Sequence, residues 1–340
     1  MQMIKVAFVV EKLYYDNLLF DREQTKLFIR DDAFAKYYTL YNMFKENGYE
    51  IATNDMHTIE TSEIVIYQDM PKKLPQEKDI YKSYLIMNES PLVRADNFDI
   101  SKHKYFNKIF TWNDELVDNI KYFKFNYSFI IPKEIPKNFN KPKLCCLIVG
   151  NKDSSYQNEL YSERKKLIRW FEENEPKDFD LYGVGWNEYR FKGIKPIRVL
   201  NRVPFITNIM FRCFGGKFPS YKGKVVNKFE TMQNYRFAIC YENIKDISGY
   251  ITEKMLDAMF AGCVPIYWGA DNVTEHIPKE CFIDKRDFKT YEELFLFMRN
   301  MDEATYIDYL NKIEIFLNSE QGYKFSAAYN AESFFKILQK

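Results

Sequence analysis

The amino-acid sequence predicts an α/β fold in which two domains face each other across a cleft. The chain has 340 residues, which exceeds the size at which a single hydrophobic core usually stops growing. Strand-like and helical segments alternate along it in two series, as expected when helices cover parallel sheets. Prolines interrupt residues 130–143 between the two series, which is typical of an interdomain linker. We therefore expect an N-terminal domain of residues 1–140 and a C-terminal domain of residues 141–340, with the last helix free to pack back on the first domain.

The first series begins with a strand and a helix. Residues 4–10 alternate and then become uniformly apolar, which predicts a buried strand, and a helix-like stretch follows at residues 32–47. Aromatic residues recur there at helical spacing from Phe34 to Phe44, and Gly48 stands where a glycine C-terminal cap is expected. Further short apolar runs predict core strands at residues 64–67, 84–87 and 108–112.

The second series repeats this alternation. Strands are predicted at residues 144–149, 179–182, 237–241 and 264–267. Helices are predicted at residues 162–173 and 252–261, and three helical stretches finish the chain, the last at about residues 325–338. Ser162 and Thr252 are the predicted N-caps of the first two helices, and Gly262 ends the second. Residues 199–223 have no period from which an element can be predicted.

Charge and hydropathy exclude several classes of protein. The 49 basic and 48 acidic residues nearly balance, so no large field favours nucleic acid as the partner, although one anionic ligand can still be attracted locally. No run of about 18 apolar residues is present, and the N-terminus lacks the pattern of a secretory signal peptide. We therefore interpret the sequence as that of a cytosolic protein.

Aromatic residues and cysteines each bear on the kind of site. With 26 Tyr and 30 Phe, the aromatic content is 18%. Either these rings build the core, or some of them line a sugar site by stacking on the apolar face of a pyranose. The six cysteines have no C-x-x-C spacing, which predicts buried free thiols rather than a zinc site or a disulfide framework.

A strand, a polar loop and a helix N-terminus follow one another after residue 235. The strand leads to Asn243, and the helix begins within Tyr250-Ile-Thr-Glu-Lys254. Ligands of open parallel sheets bind at the carboxyl ends of strands, and a helix N-terminus suits a diphosphate. Lys254 is expected in the first turn, where the helix dipole disfavours a cation unless a phosphate lies opposite. The alternative is a solvated pair of Glu253 and Lys254 on an ordinary helix surface.

This stretch resembles the donor-binding signature of the α1,3-fucosyltransferase family, including its soluble bacterial-type members. The resemblance lies in Tyr-Glu-Asn243, in Gly-Tyr-Ile-Thr-Glu-Lys254 and in Pro-Ile-Tyr-Trp-Gly269. It implies two Rossmann-like domains facing across a cleft, the GT-B type of fold, with GDP-fucose bound by the C-terminal half. The implied activity is inverting transfer of L-fucose from GDP-β-L-fucose to a hydroxyl of a glycan acceptor, with an α1,3 linkage expected.

The resemblance also implies roles for particular residues. By matching position, the donor contacts are Asn243, Tyr250, Glu253 and Lys254. Lys254 is expected on the diphosphate, and Glu253 is expected near the sugar, where it meets positive charge on the ring during catalysis.

An arginine at the start of the first helix of the C-terminal domain is another donor contact of the family. Arg164 matches it, within Ser-Glu-Arg-Lys-Lys-Leu-Ile. Lys165 and Lys166 stand beside it and leave open a register shift of one residue. An ordinary basic helix face is the other interpretation of this segment.

The catalytic base is expected in the N-terminal domain. Met87-Asn-Glu-Ser-Pro91 resembles the family's short element around its base, and Glu89 occupies the glutamate position. A glutamate that leaves the end of a strand faces the cleft, and a partly desolvated carboxylate can take the proton of an attacking hydroxyl. A simple turn is the alternative for this short segment.

No metal or cofactor is predicted. Asp178-Phe-Asp180 has the D-x-D spacing that holds a metal in other glycosyltransferases, but the resembled family shows a similar acidic run here without a metal. The predicted partners are a GDP-sugar donor and a glycan or lipid-linked oligosaccharide acceptor, without nucleic acid. Peripheral association with the inner face of the cytoplasmic membrane is a further expectation.

Two other functions remain open from the sequence. One is a transferase of the same fold that uses another GDP-deoxysugar, which donor competition would separate from a fucosyltransferase. The other is a catalytically silent carbohydrate-binding protein, which transfer or hydrolysis of GDP-fucose would exclude.

Overall fold

A computed structural model describes residues 3–24, 34–189, 191, 194–214 and 216–339. Within these residues the chain forms two parallel sheets of six strands each, with helices packed on them. The predicted start of the first helix, at residue 32, lies outside the described residues.

The N-terminal sheet has the strand order β2-β1-β3-β4-β5-β6, and every neighbouring pair is parallel. Its strands are β1 (Ile4–Val9), β2 (Tyr49–Thr53), β3 (Ile64–Gln68), β4 (Ser83–Met87), β5 (Lys108–Thr111) and β6 (Tyr122–Lys124). Because all the strands run the same way, the loops that follow them meet at one edge of the sheet.

The C-terminal sheet has the strand order β12-β11-β10-β7-β8-β9, again all parallel. Its strands are β7 (Lys143–Ile148), β8 (Phe179–Tyr182), β9 (Tyr221–Gly223), β10 (Tyr235–Tyr241), β11 (Val264–Trp268) and β12 (Ile283–Asp284). The order reverses between β7 and β10, and ligands of open α/β sheets bind at such a switch point.

Helices connect and cover these strands. Those of the described residues are α1 (Ala35–Glu46), α2 (Ile100–His103), α3 (Tyr161–Asn174), α4 (Lys195–Val199), α5 (Pro204–Phe214), α6 (Lys228–Met232), α7 (Glu253–Phe260), α8 (Val273–His276), α9 (Tyr291–Asn300), α10 (Glu303–Leu317), α11 (Glu320–Tyr323) and α12 (Ala327–Leu338). None of these is both long and apolar enough to cross a membrane.

The last helix, α12, packs against the N-terminal domain. Phe334 lies 4.2 Å from Phe110 of β5, measured between ring centroids, and Phe335 lies 5.8 Å from Phe44 of α1. Both belong to the same buried cluster as Phe8 of β1. The chain therefore returns to its first domain after completing the second.

The structure confirms the predicted glycine ends of two helices. Gly48 follows α1 with φ of 81°, and Gly262 follows α7 with φ of 67°, conformations that residues with a side chain rarely adopt. Five of the six cysteines are buried free thiols as predicted, whereas Cys213 is exposed.

Other local predictions were wrong or missing. Leu160, not Ser162, occupies the N-cap of α3, because the carboxylate of Glu159 accepts the backbone N–H of Ser162 at 3.0 Å and supplies the missing acceptor. Strands β2, β6, β9 and β12 were not predicted, nor were the helices α2, α4, α5, α6, α8 and α11. β6, β9 and β12 have three residues or fewer, too few to show a period, and β2 has no continuous apolar run.

Candidate active site

The C-terminal domain builds the site where β10 ends and α7 begins. Glu242 follows β10 directly and is completely buried. Its carboxylate accepts the backbone N–H of Thr252 at 2.8 Å and the hydroxyl of Thr252 at 2.7 Å. Thr252 therefore stands at the N-cap position of α7 as predicted, but its side chain makes no capping bond to the helix. Glu242 ties the strand end to the helix start instead.

Lys254, in the first turn of α7, belongs to the same cluster. Its Nζ lies 3.0 Å from Glu242, 2.8 Å from the hydroxyl oxygen of Thr252 and 3.3 Å from Glu253. Burial lowers the pKa of Lys254, but the two carboxylates outweigh burial and hold its pKa above the ordinary value. Burial likewise raises the pKa of Glu253, yet Lys254 and Lys228 outweigh it and hold that pKa below the ordinary value. Lys254 and Glu253 are therefore both charged at neutral pH.

Arg164 of α3 reaches the same strand end. It is 3% exposed, and one terminal nitrogen donates to the carbonyl of Tyr241 at 2.6 Å and to Oδ1 of Asn243 at 3.1 Å. Its guanidinium lies 5.1 Å from the ring of Tyr161. Within the described residues, the Nε of Arg164 is buried without a hydrogen-bond partner. A buried unpaired donor is costly, and an anion bound here would satisfy it.

The neighbouring lysines point elsewhere. Lys165 pairs with Asp153, and Lys166 pairs with Glu163 at 2.6 Å on the exposed side of α3. The structure thus brings Arg164, rather than Lys165 or Lys166, against the predicted donor residue Asn243.

Tyr250 lies at the junction of the two domains. Its side chain is 1% exposed, and its ring lies 4.7 Å from that of Trp112 and 6.2 Å from that of Tyr127, both in the N-terminal domain. Burial raises the pKa of its phenol. The predicted donor contact is therefore also a packing residue that fixes the N-terminus of α7 against the first domain.

A polar contact joins the domains beside this aromatic cluster. The backbone N–H of Asp114 donates to the carbonyl of Ser248 at 3.2 Å. The carboxylate of Asp114 accepts hydrogen bonds from Asn272 at 2.9 Å and from Nε2 of His276 at 2.6 Å. His276 is thus an interdomain contact.

Glu89 follows β4 at the carboxyl edge of the N-terminal sheet and is partly buried. Burial raises the pKa of Glu89, and the charges of Asp69 and Glu253 raise it further, whereas Lys152 and Lys254 oppose the rise. Three of these four groups come from the C-terminal domain or its α7 helix. The charges of the predicted donor residues Glu253 and Lys254 therefore act on the pKa of the predicted base.

Comparison with known proteins places this arrangement in a family. The model of the C-terminal region of glycosyltransferase family 10 (fucosyltransferase) matches residues 138–324, which is more than half of the chain. The chain belongs to glycosyltransferase family 10. Its matched region contains β7 to β12 and the whole cluster around Lys254.

Individual relatives align over parts of this family 10 chain. An α-(1,3)-fucosyltransferase FucT of Helicobacter pylori is 35% identical over 116 residues, which are 34% of this chain and 23% of that protein. A 4-galactosyl-N-acetylglucosaminide 3-alpha-L-fucosyltransferase 9 of Bos taurus is 24% identical over 285 residues, which are 79% of this chain and 65% of that protein. The chain thus spans less than a quarter of the first relative.

Solved structures confirm the predicted fold class. A crystal structure of an α1,3-fucosyltransferase with GDP has a TM-score of 0.58 and 19% identity, covering 100% of this chain and 92% of that one. An α-glucosyltransferase in complex with UDP and DNA has a TM-score of 0.56 and 13% identity. At such identities the likeness concerns the fold, two parallel-sheet domains of the GT-B type.

The acidic pair with D-x-D spacing has other partners in this family 10 chain. The carboxylate of Asp180 accepts the hydroxyl of Tyr235 at 2.7 Å and lies 3.4 Å from Lys143. Asp178 pairs with Arg299 at 2.9 Å. Among the residues with described positions, no cluster of three His, Cys, Asp or Glu side chains is placed to hold a metal ion.

Sequence reasoning missed two carboxylates of the site. Glu242 stands inside the Tyr-Glu-Asn element but was given no role, and Asp69 follows β3 unnoticed. The available signal was a charged residue directly after an apolar strand, since such positions open onto the carboxyl edge of a parallel sheet.

Proposed function

We propose that this chain is an inverting fucosyltransferase that transfers L-fucose from GDP-β-L-fucose to a hydroxyl of a glycan acceptor, forming an α1,3 linkage. Membership of family 10 supports the reaction class, and the Helicobacter pylori relative supports the linkage. The main observation behind the proposal is the cluster of Arg164, Asn243 and Lys254 where β10 ends and α7 begins, which offers an anion a buried unpaired N–H and a lysine at a helix N-terminus.

The C-terminal domain would hold the donor. Lys254, Arg164 and the N–H groups at the start of α7 supply positive charge for the diphosphate, with Asn243 and Tyr250 as further contacts. As the bond to the sugar breaks, negative charge grows on the departing GDP, and these groups are already in place to stabilise it. Arg164 has a buried unpaired N–H, which supports an anionic ligand here.

The N-terminal domain would supply the base. The acceptor oxygen attacks the anomeric carbon from the face opposite the diphosphate, and its proton passes to Glu89. The bond to GDP breaks with its electron pair, so the β-linked donor gives an α-linked product. Positive charge on the ring in the transition state would be met by Glu253. The raised pKa of Glu89 supports this role, since a base works best when its pKa is near the working pH.

The N-terminal domain would also bind the acceptor, and an open pocket lies between the loop that follows β1 and helix α1. Its volume is about 460 Å³, and its lining includes Asp16, Asn17, Phe20, Tyr38 and Tyr41. Aromatic faces beside polar oxygens suit a saccharide. A lipid-linked oligosaccharide acceptor would place the reaction at the inner face of the cytoplasmic membrane, which co-flotation with acceptor-bearing vesicles tests.

A donor screen tests the proposal. The purified chain is incubated with GDP-L-fucose, GDP-mannose and a second GDP-deoxysugar over a glycan array, and products are identified by mass spectrometry and their linkage by NMR. We expect transfer from GDP-L-fucose and an α1,3 product. Preferred transfer of another deoxysugar would contradict the donor assignment, and glycan binding without any transfer would show a silent carbohydrate-binding protein.

A further inference from the structure

Asp69 lies directly beneath the turn that carries Glu89. It follows β3, is 7% exposed and has φ of 59°. Its Oδ1 accepts the backbone N–H of Asn88 at 2.8 Å and that of Glu89 at 3.0 Å. One carboxylate oxygen thus fixes the backbone of Glu89 and of the residue before it.

A buried amide reinforces this contact. Asn97 is completely buried, and its Nδ2 donates to Oδ1 of Asp69 at 2.6 Å and to the carbonyl of Glu89 at 3.3 Å. Its Oδ1 accepts the N–H of Met70 at 2.7 Å. The loops after β3 and β4 are therefore held together at the position from which Glu89 enters the cleft.

We propose that Asp69, supported by Asn97, is a positioning residue for Glu89. The proposal rests on the proposed function, in which Glu89 is the base. Asp69 holds the turn through two hydrogen bonds to its backbone, and its negative charge acts on the Glu89 carboxyl. A carboxylate with a purely structural role in the loop would need only the two hydrogen bonds to the backbone and not the effect of its charge.

The pKa of Glu89 supports an effect of the Asp69 charge on the Glu89 carboxyl. Burial is the largest cause of the raised pKa of Glu89, and Asp69 is the first of the charged groups that add to it. Removing that charge should lower the pKa of Glu89, so that the base stays ionised to lower pH. The titratable groups that interact with Glu89 through their charges are Lys36, Tyr37, Asp69, Tyr127, Lys152, Tyr161, Glu253 and Lys254.

Two substitutions separate the hydrogen bonds from the charge. Asp69→Asn keeps an acceptor oxygen, and asparagine tolerates the left-handed backbone. Asp69→Gly tolerates that backbone too but removes the acceptor. Asp99→Asn is the matched control, because Asp99 also accepts a backbone N–H, from Ser101 at 3.2 Å, on an exposed turn of the same domain.

The experiment combines kinetics with a measurement that needs no turnover. We measure kcat against pH with GDP-fucose, GDP affinity by calorimetry, and the Glu89 titration by NMR of carboxyl-labelled glutamate, using Glu89→Gln to assign the signal. For Asp69→Asn we expect the Glu89 titration and the acid limb of kcat to move to lower pH. For Asp69→Gly we expect kcat to fall about tenfold to a hundredfold with GDP affinity unchanged, because a displaced base is poorly aligned. Asp99→Asn should match the parent.

The outcomes are distinguishable. The positioning role is overturned if Asp69→Asn leaves the Glu89 titration unchanged, or if Asp69→Gly has the kcat of the parent. In either case, an inactive Glu89→Gln variant would still support the proposed function. If Glu89→Gln itself transfers fucose at the parent rate, the base is another residue and the positioning role is overturned with it.

Discussion

Lys254 is held by two protein carboxylates, those of Glu242 and Glu253. Glu242 is completely buried, and the Nζ of Lys254 lies 3.0 Å from its carboxylate. A diphosphate bound here would be stabilised by the N–H groups at the start of α7 and by the unpaired N–H of Arg164. Lys254 was predicted from the sequence but its partner Glu242 was not, because the burial of Glu242 depends on residues far from it in the chain.

We predict that Lys254→Ala weakens GDP binding by about 1.5 to 3 kcal/mol, the range of a hydrogen bond to a charged group. The variant should also melt at a lower temperature, because Glu242 is left buried without a cation. Calorimetry with GDP and thermal unfolding measure the two effects. Lys165→Ala is the control, since Lys165 pairs with Asp153 away from the site. Equal GDP affinity of Lys254→Ala and the parent would remove Lys254 from the donor site.

At the scale of elements, the strand β10, the helix α7 and the strand β11 were all predicted. Each has an apolar run with clear ends, and Gly262 separates the last two. The two-residue β12 and the three-residue β9 could not be predicted, since they become strands only by pairing with a neighbour already in place. The hydrogen bonds between Glu242 and Thr252, which link the end of β10 to the start of α7, could not be predicted from local sequence patterns either.

A further prediction concerns the cost of replacing Gly262, the glycine that follows helix α7. A Cβ at Gly262 would lie 2.0 Å from the carbonyl oxygen of Pro136, whereas a Cβ at Gly48 meets nothing within 4 Å. Both have left-handed backbones, so Gly48→Ala should cost only about 1 to 2 kcal/mol of unfolding free energy. Gly262→Ala should cost clearly more, because the linker must also move. Denaturant unfolding measures both, and equal losses would contradict the steric account.

At the scale of the whole molecule, the sequence predicted two α/β domains and the cleft, since length, alternation and the proline-rich linker are visible in the chain. It did not predict how the domains meet. The burial of Tyr250 against Trp112 and the bond from His276 to Asp114 join residues more than a hundred positions apart. Such contacts follow from the packed tertiary structure and leave no periodic signal.

In the proposed mechanism, Arg164, Lys254 and the start of α7 neutralise the charge of the diphosphate without a metal. We therefore predict that fucosyl transfer continues at the parent rate in excess chelator. Initial rates with and without EDTA measure this. Loss of turnover that manganese or magnesium restores would contradict the assignment and direct attention back to Asp178 and Asp180.

The substitution Glu89→Gln tests whether one domain supplies the base while the other binds the donor. Glutamine keeps the shape of Glu89 but cannot accept a proton. Loss of a general base costs a factor of about 100 to 10,000 in rate, while ground-state binding is retained. We predict that kcat with GDP-fucose collapses by such a factor and that GDP affinity, measured by calorimetry on the same preparation, stays at the parent value. Transfer at near the parent rate, or a fall of GDP affinity in step with kcat, would contradict the division of labour between the domains.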